Sequence, residues 1–333
     1  MDRRSLLTAC GASACLLGMG PAALAQAPAP APAALPAPTR LPALHIYIPG
    51  GAGGGWDQTG RALGAAIQAA GLAERVTYEN KGGKGGTIGL ADFVARYDRD
   101  PAALLIGGMV MLGAIALGQS KATLDQVSPI ARLTNDFMVM VARTGQQPDS
   151  IASLTKAMRT NLAEVRFTGG SAGGVDHVLA GMIALQLRQD VTRLKYLPTS
   201  SGPEAAALLE KAEAQVAISS YSEFQTDIEK KLLTPLAISS RRSLYGVPSL
   251  HEQGLQTDLS NWRAVFAPGG IGAAQRENLR RIVVAATQHP TWAQALEKNK
   301  WFNALLHGPD FAGRLVIEQG MASAMAMMLH LKA

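Results

Sequence analysis

Apolar and polar residues alternate along the chain as short strand-like runs followed by longer segments of helical spacing. Between residues 43 and 118, the runs "ALHIYI", "RVTYE" and "ALLIGG" are apolar or rich in β-branched residues. Each precedes a segment with helical spacing, namely "WDQTGRALGAAIQAA", "GTIGLADFVARY" and "MLGAIALG". This order predicts βαβ units and a parallel sheet.

A longer β-rich run, "SPIARLTNDFMVMVAR" at residues 128–143, interrupts this order. The alternation then restarts and ends in "LLTPLAISS", which is similar to the long run. We predict that these two runs form a two-stranded hinge around a nested domain. The expected fold class is α/β with two lobes, each a mostly parallel sheet flanked by helices. Lobe 1 is predicted at residues 41–140 plus 240–333, and lobe 2 at residues 141–239.

The amino terminus is typical of an exported protein. Residues 1–25 combine a short basic start, an apolar stretch and the small residues Ala23–Ala25, which is the pattern of a cleavable signal peptide. The Arg3–Arg4 pair is compatible with either general secretion or a twin-arginine signal. Residues 26–40 are rich in alanine and proline and predict an extended tether. The mature chain is therefore expected in the periplasm.

Composition narrows the function further. With 47% hydrophobic residues the chain can form a large core, and 17% charged residues with a net charge of +6 do not suggest a nucleic-acid partner. Both cysteines, Cys10 and Cys15, lie in the predicted leader, so cysteine chemistry is excluded from the mature chain. The histidines lack metal-ligand spacing. We expect a monomer with no metal and no cofactor.

The stretch "IPGGAGGGWDQTG" places several glycines between a strand and a helix. Exposed amides and the helix dipole make such a junction suited to an anion. A dinucleotide fingerprint is not satisfied, because its last glycine position falls on Trp56. The alternative is that the glycines only form a tight turn. Asp57 is expected to cap the helix, and it could also accept a hydrogen bond from a ligand.

Two further loops, "NKGGKGGTIG" at residues 80–89 and "FTGGSAGGVDH" at residues 167–177, repeat this arrangement. Loops of this kind from both lobes predict a polar, anionic small molecule held by backbone amides across a cleft. Asp176 fits either the electrostatics of a helix start or ligand contact. For His177, ligand contact and a structural role are both open.

An enzymatic alternative arises from Gly169–Gly173, which matches the G-x-S-x-G pattern with Ser171 as nucleophile. However, the chain has no preceding His-Gly-Gly segment for an oxyanion hole, and a nested two-lobe layout differs from the single sheet that carries such a serine. We therefore expect no catalytic residues.

Six segments in this order resemble the Bug-type periplasmic receptors of tripartite tricarboxylate transporters: "IPGGAGGGWDQTGRAL", "ENKGGKGGTIG", "FTGGSAGGVDHVLAGMI", "SSYSEF", "PLAISSRRSLYGVPSLHEQG" and "NWRAVFAPGGI". The resemblance runs from about Leu41 to the carboxyl terminus. It implies a type II periplasmic-binding-protein fold that closes on a small carboxylate and delivers it to a membrane permease pair. A ligand sensor with a membrane signalling partner is the alternative. Lys84 departs from the family pattern, where a small residue is usual.

The resemblance also implies that the loops after the first strand of each lobe grip the ligand through amides and waters. The predicted ligand-binding residues are Gly51, Ala52, Gly53, Gly54, Gly55, Trp56, Asp57, Gly85, Thr168, Gly170, Ser171, Ala172, Asp176, His177, Ser200 and Ser220.

Overall fold

The computed structural model describes residues 37–118, 120–257 and 259–330. The predicted signal peptide at residues 1–25 and most of the predicted tether lie outside the described residues. Within those ranges, each helix is too short or too polar to pass through a lipid bilayer.

The first part of the chain alternates strands and helices as the sequence predicts. Its elements are β1 (Leu41–Ile48), α1 (Gly55–Ala69), β2 (Ala73–Asn80), α2 (Thr87–Tyr97), β3 (Ala103–Gly108) and α3 (Met109–Ala116). β1 lies between β2 and β3 and is parallel to both. The glycine loops after β1 and β2 therefore leave the sheet at the same edge.

The middle of the chain repeats this alternation after one long strand. Its elements are β4 (Val127–Arg143), α4 (Ile151–Asn161), β5 (Arg166–Gly169), α5 (Val175–Gln186), β6 (Lys195–Pro198), α6 (Gly202–Glu210), β7 (Val216–Ser220), α7 (Tyr221–Glu229) and β8 (Leu233–Ile238). β5 lies between β6 and β7 and is parallel to both. A second set of strand-to-helix loops is thus gathered at one edge.

The last part of the chain returns to the first sheet. Its elements are β9 (Ser260–Pro268), α8 (Ala273–Thr287), α9 (Pro290–Lys298), β10 (Phe302–His307) and α10 (Gly308–Met328). β9 pairs antiparallel with β3 on one side and with β4 on the other. The sheet is therefore mixed, with helices on its faces, which confirms the predicted α/β class.

β4 joins the two sets of strands. Its 17 residues pair with β9 and β10 over the first part of the strand, and with β7 and β8 over the last part. The change of partners falls between Phe137, which pairs with Ser260, and Met138, which pairs with Ser220. One continuous strand therefore carries both sheet regions.

The run "LLTPLAISS" forms β8, which pairs antiparallel with the last part of β4 but is shorter than the long strand predicted, because it ends at Ile238. The Ser239 hydroxyl accepts a hydrogen bond from the Met138 N–H (2.9 Å) and donates to the Leu259 carbonyl (2.6 Å). The Ser239 N–H still donates to the Met138 carbonyl (2.9 Å), so the side chain replaces only the return bond of this pair, and the chain leaves β4 there. It rejoins the sheet as β9 at Ser260.

Buried side chains cover both faces of the sheet. Tyr47 belongs to a cluster that continues through Met138 of β4 to Ile183 of α5. Ile46 and Ile48, its neighbours in β1, belong to a second cluster on the side of α1 and α8. Alternate residues of β1 are thus buried on opposite faces, as expected for a parallel strand covered by helices on both sides.

The two regions approach most closely where α3 meets the loop after β5. A Cβ atom on Gly113 would overlap the carbonyl oxygen of Gly173 and lie 2.9 Å from its carbonyl carbon. Gly313, in the exposed part of α10, has no such neighbour within 4 Å. Both glycines lie inside helices.

We predict opposite effects of alanine at these two glycines. Gly313→Ala should stabilise the fold by about 0.4–1 kcal/mol, because alanine reduces the entropy of the unfolded chain. Gly113→Ala should destabilise it by about 1–3 kcal/mol, because the added methyl group overpacks a backbone contact. Thermal unfolding of both variants measures the difference. A melting temperature for Gly113→Ala at or above that of Gly313→Ala would contradict the close approach.

Candidate functional site

An open cavity, with about 600 Å³ of empty space including the solvent at its mouth, lies between the loops that follow β1 and β2 and those that follow β5, β6 and β7. Its floor includes Met138, at the point where β4 changes partners, and Asn261 and Arg263 of β9. The cavity therefore lies at the carboxyl ends of parallel strands from both sheet regions, where α/β proteins commonly bind small molecules.

Nine of the predicted site residues line this cavity: Gly51, Gly54, Gly55, Trp56, Gly170, Ser171, Asp176, Ser200 and Ser220. The structure thus brings together residues that the sequence places in four separate glycine or serine segments. Seven others do not line it: Ala52, Gly53, Asp57, Gly85, Thr168, Ala172 and His177. Ala52 and Gly53 are exposed. The Thr168 hydroxyl donates to the Leu197 carbonyl between neighbouring strands.

Asp57 is not the helix cap that the sequence predicts. The cap position of α1 is Gly54, and Asp57 is the third residue of the helix. Its Oδ2 accepts the Gly53 N–H at 3.0 Å, while its Oδ1 accepts from Arg61 and Asn80. This carboxylate therefore fixes the first glycine loop onto α1 and β2.

His177 has the structural role that the sequence left open. Its Nδ1 accepts the Gly173 N–H at 3.1 Å, and its ring stacks on Tyr196 with centroids 4.2 Å apart. Burial lowers the pKa of His177 to about 4, so the ring is neutral at pH 7. The residue holds the loop after β5 in shape.

Asp176 lies at the start of α5 and is 3% exposed. Its Oδ2 accepts the Gly170 N–H at 2.8 Å, and within the described chain its buried Oδ1 has no hydrogen-bond partner. Burial, followed by the negative charge of Glu223, raises the pKa of Asp176 to about 8. This carboxyl group is therefore predominantly protonated at pH 7.

Glu223, which sequence reasoning missed, lines the same side of the cavity. Its Oε1 accepts the Gly202 N–H at 2.9 Å, and its Oε2 accepts the Ser219 hydroxyl at 2.7 Å. An acidic residue in the first turn of α7, directly after the serines of β7, was the available signal. Together with Asp176 it forms an acidic wall.

Arg263 and Asp136 form a buried ion pair that sequence reasoning also missed. Arg263 is 1% exposed and Asp136 4%. The Arg263 Nη2 lies 2.9 Å from the Asp136 Oδ2 and donates to the Ser220 hydroxyl at 2.6 Å. Burial raises the pKa of Asp136, and the guanidinium opposes that shift. An arginine inside the apolar run "NWRAVFAP" was the signal in the sequence.

The guanidinium of Arg263 lies against the start of α1. A Cβ atom on Gly55, the first residue of α1, would overlap this group and lie 2.9 Å from its central carbon. Glycine at this position therefore admits Arg263 beneath the helix. The guanidinium and the positive end of α1 form a basic wall, which favours a negatively charged ligand group there. The Glu223 carboxylate borders this wall, since its Oε1 would lie 3.6 Å from a Cβ atom on Gly54.

Two hydrogen bonds connect the two sides of the cavity, one between loops and one between the first turns of α7 and α1. The Gly85 N–H donates to the Ser171 hydroxyl at 3.0 Å, and the Ser222 hydroxyl donates to the Gln58 side-chain oxygen at 3.1 Å. Among the described residues, the Ser171 hydroxyl is thus hydrogen-bonded to a backbone amide and not to a histidine. This geometry does not activate the serine as a nucleophile.

The sequence was compared with protein families and with individual proteins. Residues 61–309 match the model of the tripartite tricarboxylate transporter family receptors. The chain is 26% identical over 251 residues to the UPF0065 protein of the TAR-I ttuE-ttuC' intergenic region of Agrobacterium vitis, covering 74% of this chain and 71% of that protein.

Three solved structures have a similar fold. The periplasmic binding protein BugD has a TM-score of 0.76 and 19% identity, with 87% of this chain and 98% of that chain covered. MatC from Rhodopseudomonas palustris with bound malate has a TM-score of 0.72 and 19% identity, with 85% of this chain and 98% of that chain covered. Rpa4515 of R. palustris with adipate has a TM-score of 0.77 and 18% identity, with 87% of this chain and 97% of that chain covered. At these identities the likeness establishes the fold.

We predict that Arg263→Met destabilises the protein by about 3–5 kcal/mol, because it leaves Asp136 buried without its counter-charge. Denaturant unfolding measures this change. The exposed pair Arg40–Glu74, at 3.7 Å, provides the control, and Arg40→Met should cost less than about 1 kcal/mol. Replacing both buried partners, as Arg263→Met with Asp136→Leu, should restore part of the loss. Equal stabilities of Arg263→Met and the wild type would contradict this account.

Proposed function

Because this chain belongs to the tripartite tricarboxylate transporter receptor family, we propose that it binds a small di- or tricarboxylate in the open cavity and delivers it to a membrane permease pair. The observation that carries the proposal is the basic wall formed by Arg263 and the start of α1. It supplies a positive potential in a cavity that the loops of both sheet regions enclose.

The similar structures support the choice of ligand class. MatC is described with malate and Rpa4515 with adipate, both dicarboxylates. We propose that the cavity-lining members of the predicted set, together with Glu223, Asn261 and Arg263, surround the ligand.

The proposed setting is the periplasm. The similar structures include the periplasmic binding protein BugD. Residues 1–25 of this chain have the pattern of a signal peptide. We propose that the mature chain acts as a monomer, with lobe 1 at residues 41–140 plus 240–333 and lobe 2 at residues 141–239. The change of partners along β4 supports a boundary close to residue 138.

Calorimetry with citrate, tricarballylate, succinate, malate and adipate tests the proposal directly. At least one of these acids should bind, because the basic wall attracts a carboxylate, and neutral sugars such as glucose and maltose should not. The same acid should raise the melting temperature, since a ligand at a hundredfold excess over its dissociation constant stabilises the folded state by about 2.7 kcal/mol. Binding of a sugar and of none of the acids would refute the proposed ligand class.

Ser171→Ala separates a receptor from a hydrolase. Loss of its hydrogen bond with Gly85 should cost about 0.5–1.5 kcal/mol, which weakens ligand binding about 2–10-fold. Ser323→Ala, on the exposed surface of α10, should leave the affinity unchanged. We infer that neither the wild type nor the variant hydrolyses ester substrates. Ester turnover by the wild type that is absent from Ser171→Ala would establish an enzyme instead.

A further inference from the structure

Asp176 presents an incomplete hydrogen-bonding site on the wall of the cavity. Its Oδ2 is occupied by the Gly170 N–H, whereas Oδ1 is buried and lacks a partner among the described residues. A buried polar atom without a partner costs about 1–3 kcal/mol. Because Asp176 lines the cavity, a ligand is well placed to supply the missing hydrogen bond.

The acidic groups near Asp176 disfavour the ionised form of its carboxyl group. Glu223 of α7 and Asp136 of β4 are both acidic, and Arg263 of β9 already pairs with Asp136. His177, on the same helix, is neutral because it is buried. Tyr196 of β6 donates its proton to the Gly170 carbonyl.

Two features favour the ionised form of Asp176. They are the Gly170 N–H and the positive end of α5. Burial and the charge of Glu223 outweigh them, and the pKa of Asp176 is raised to about 8. The group therefore holds a proton at neutral pH, and it has an O–H to donate.

A carboxylate ligand increases this preference. If Asp176 were ionised, the ligand would bring a further negative charge next to Asp176 and Glu223, which both line the cavity. Neighbouring carboxylates in such a site do not all ionise, and one takes up a proton. The proton also converts Oδ1 from an unpaired acceptor into a donor.

We propose that Asp176 binds the ligand as a neutral carboxylic acid, its Oδ1–H donating a hydrogen bond to a carboxylate oxygen of the ligand. Ligand and proton then bind together, with the proton drawn from solvent whenever Asp176 is ionised in the free protein. No covalent bond of the ligand changes. The inference rests on the proposed carboxylate-receptor function.

The affinity for the ligand depends on pH because ligand binding and protonation of Asp176 are coupled. A group that must be protonated in the complex gives full affinity below its pKa in the free protein. Above that pKa the affinity decreases, by at most about tenfold per pH unit. With a pKa of about 8, the decrease should begin close to that pH.

The test is calorimetry with whichever of succinate, adipate and citrate binds the wild type most tightly. We would titrate from about pH 7 to about pH 9.5, where these acids are ionised, in two buffers of different ionisation enthalpy. The wild type should lose affinity above about pH 8 and take up about one proton per ligand there. Asp176→Asn, which keeps a donor, should bind within about threefold of the wild type at pH 7 and show no pH dependence.

Asp190→Asn, an exposed acid at a 3₁₀ turn, is the matched control and should keep the wild-type pH profile. Infrared spectra of the wild type with and without ligand provide a second readout, independent of how the variants fold. The neutral carboxyl band should be present in the complex at about pH 8.5.

Three outcomes would overturn the inference while leaving the receptor function intact. They are tight binding with a flat pH profile in the wild type, loss of binding in a folded Asp176→Asn variant, and absence of the neutral carboxyl band from the complex. Tighter binding of aspartate than of succinate, abolished by Asp176→Asn, would show instead that Asp176 pairs as an anion with a ligand ammonium. Failure of every acid to bind the wild type at about pH 7 would contradict the proposed function itself.

Discussion

The Arg263–Asp136 pair connects the three strands that meet beneath the cavity. Asp136 lies in β4 two residues before the strand changes partners, Arg263 lies in β9, and the Ser220 hydroxyl at the end of β7 contacts both side chains. Such a pair need not add net stability, because removing two charges from water is costly. Its effect is on geometry: a displacement of any one of these strands would leave a charge unpaired. We infer that the pair fixes the register between the two sheet regions and holds a positive group under the first helix.

The acidic residues at the helix starts explain why the glycine loops are only partly available to a ligand. Asp57 and Asp176 accept the amides of the loop glycines Gly53 and Gly170, and Glu223 accepts the amide of Gly202, the first residue of α6. These amides would otherwise be unpaired donors at the helix ends. The chain thus satisfies part of each glycine-bearing segment with its own carboxyl groups.

The sequence was sufficient to predict most elements of the fold and the position of the cavity. Glycine loops, helical spacing and apolar strand runs are local features, and each of them depends on neighbouring residues. The charged residues of the floor were not predictable in the same way. Arg263 meets Asp136 only because β9 returns beside β4, and Glu223 reaches the loop containing Gly202 only because α7 packs beside α6. The prediction that Asp57 caps α1 was wrong for a local reason. Gly54 takes the cap position, and Asp57 accepts a hydrogen bond from the Gly53 N–H from inside the helix.

The two hydrogen bonds that cross the cavity, Gly85 to Ser171 and Ser222 to Gln58, involve an amide, two hydroxyls and a side-chain carbonyl. Dissolved ions screen interactions between exposed charges strongly, but they have little effect on neutral hydrogen bonds. These two hydrogen bonds should therefore continue to join the two sides of the cavity across a wide range of ionic strength. A receptor of this design would keep the same tendency to close in dilute and in saline surroundings, while the attraction of an anionic ligand from a distance would still weaken as salt increases.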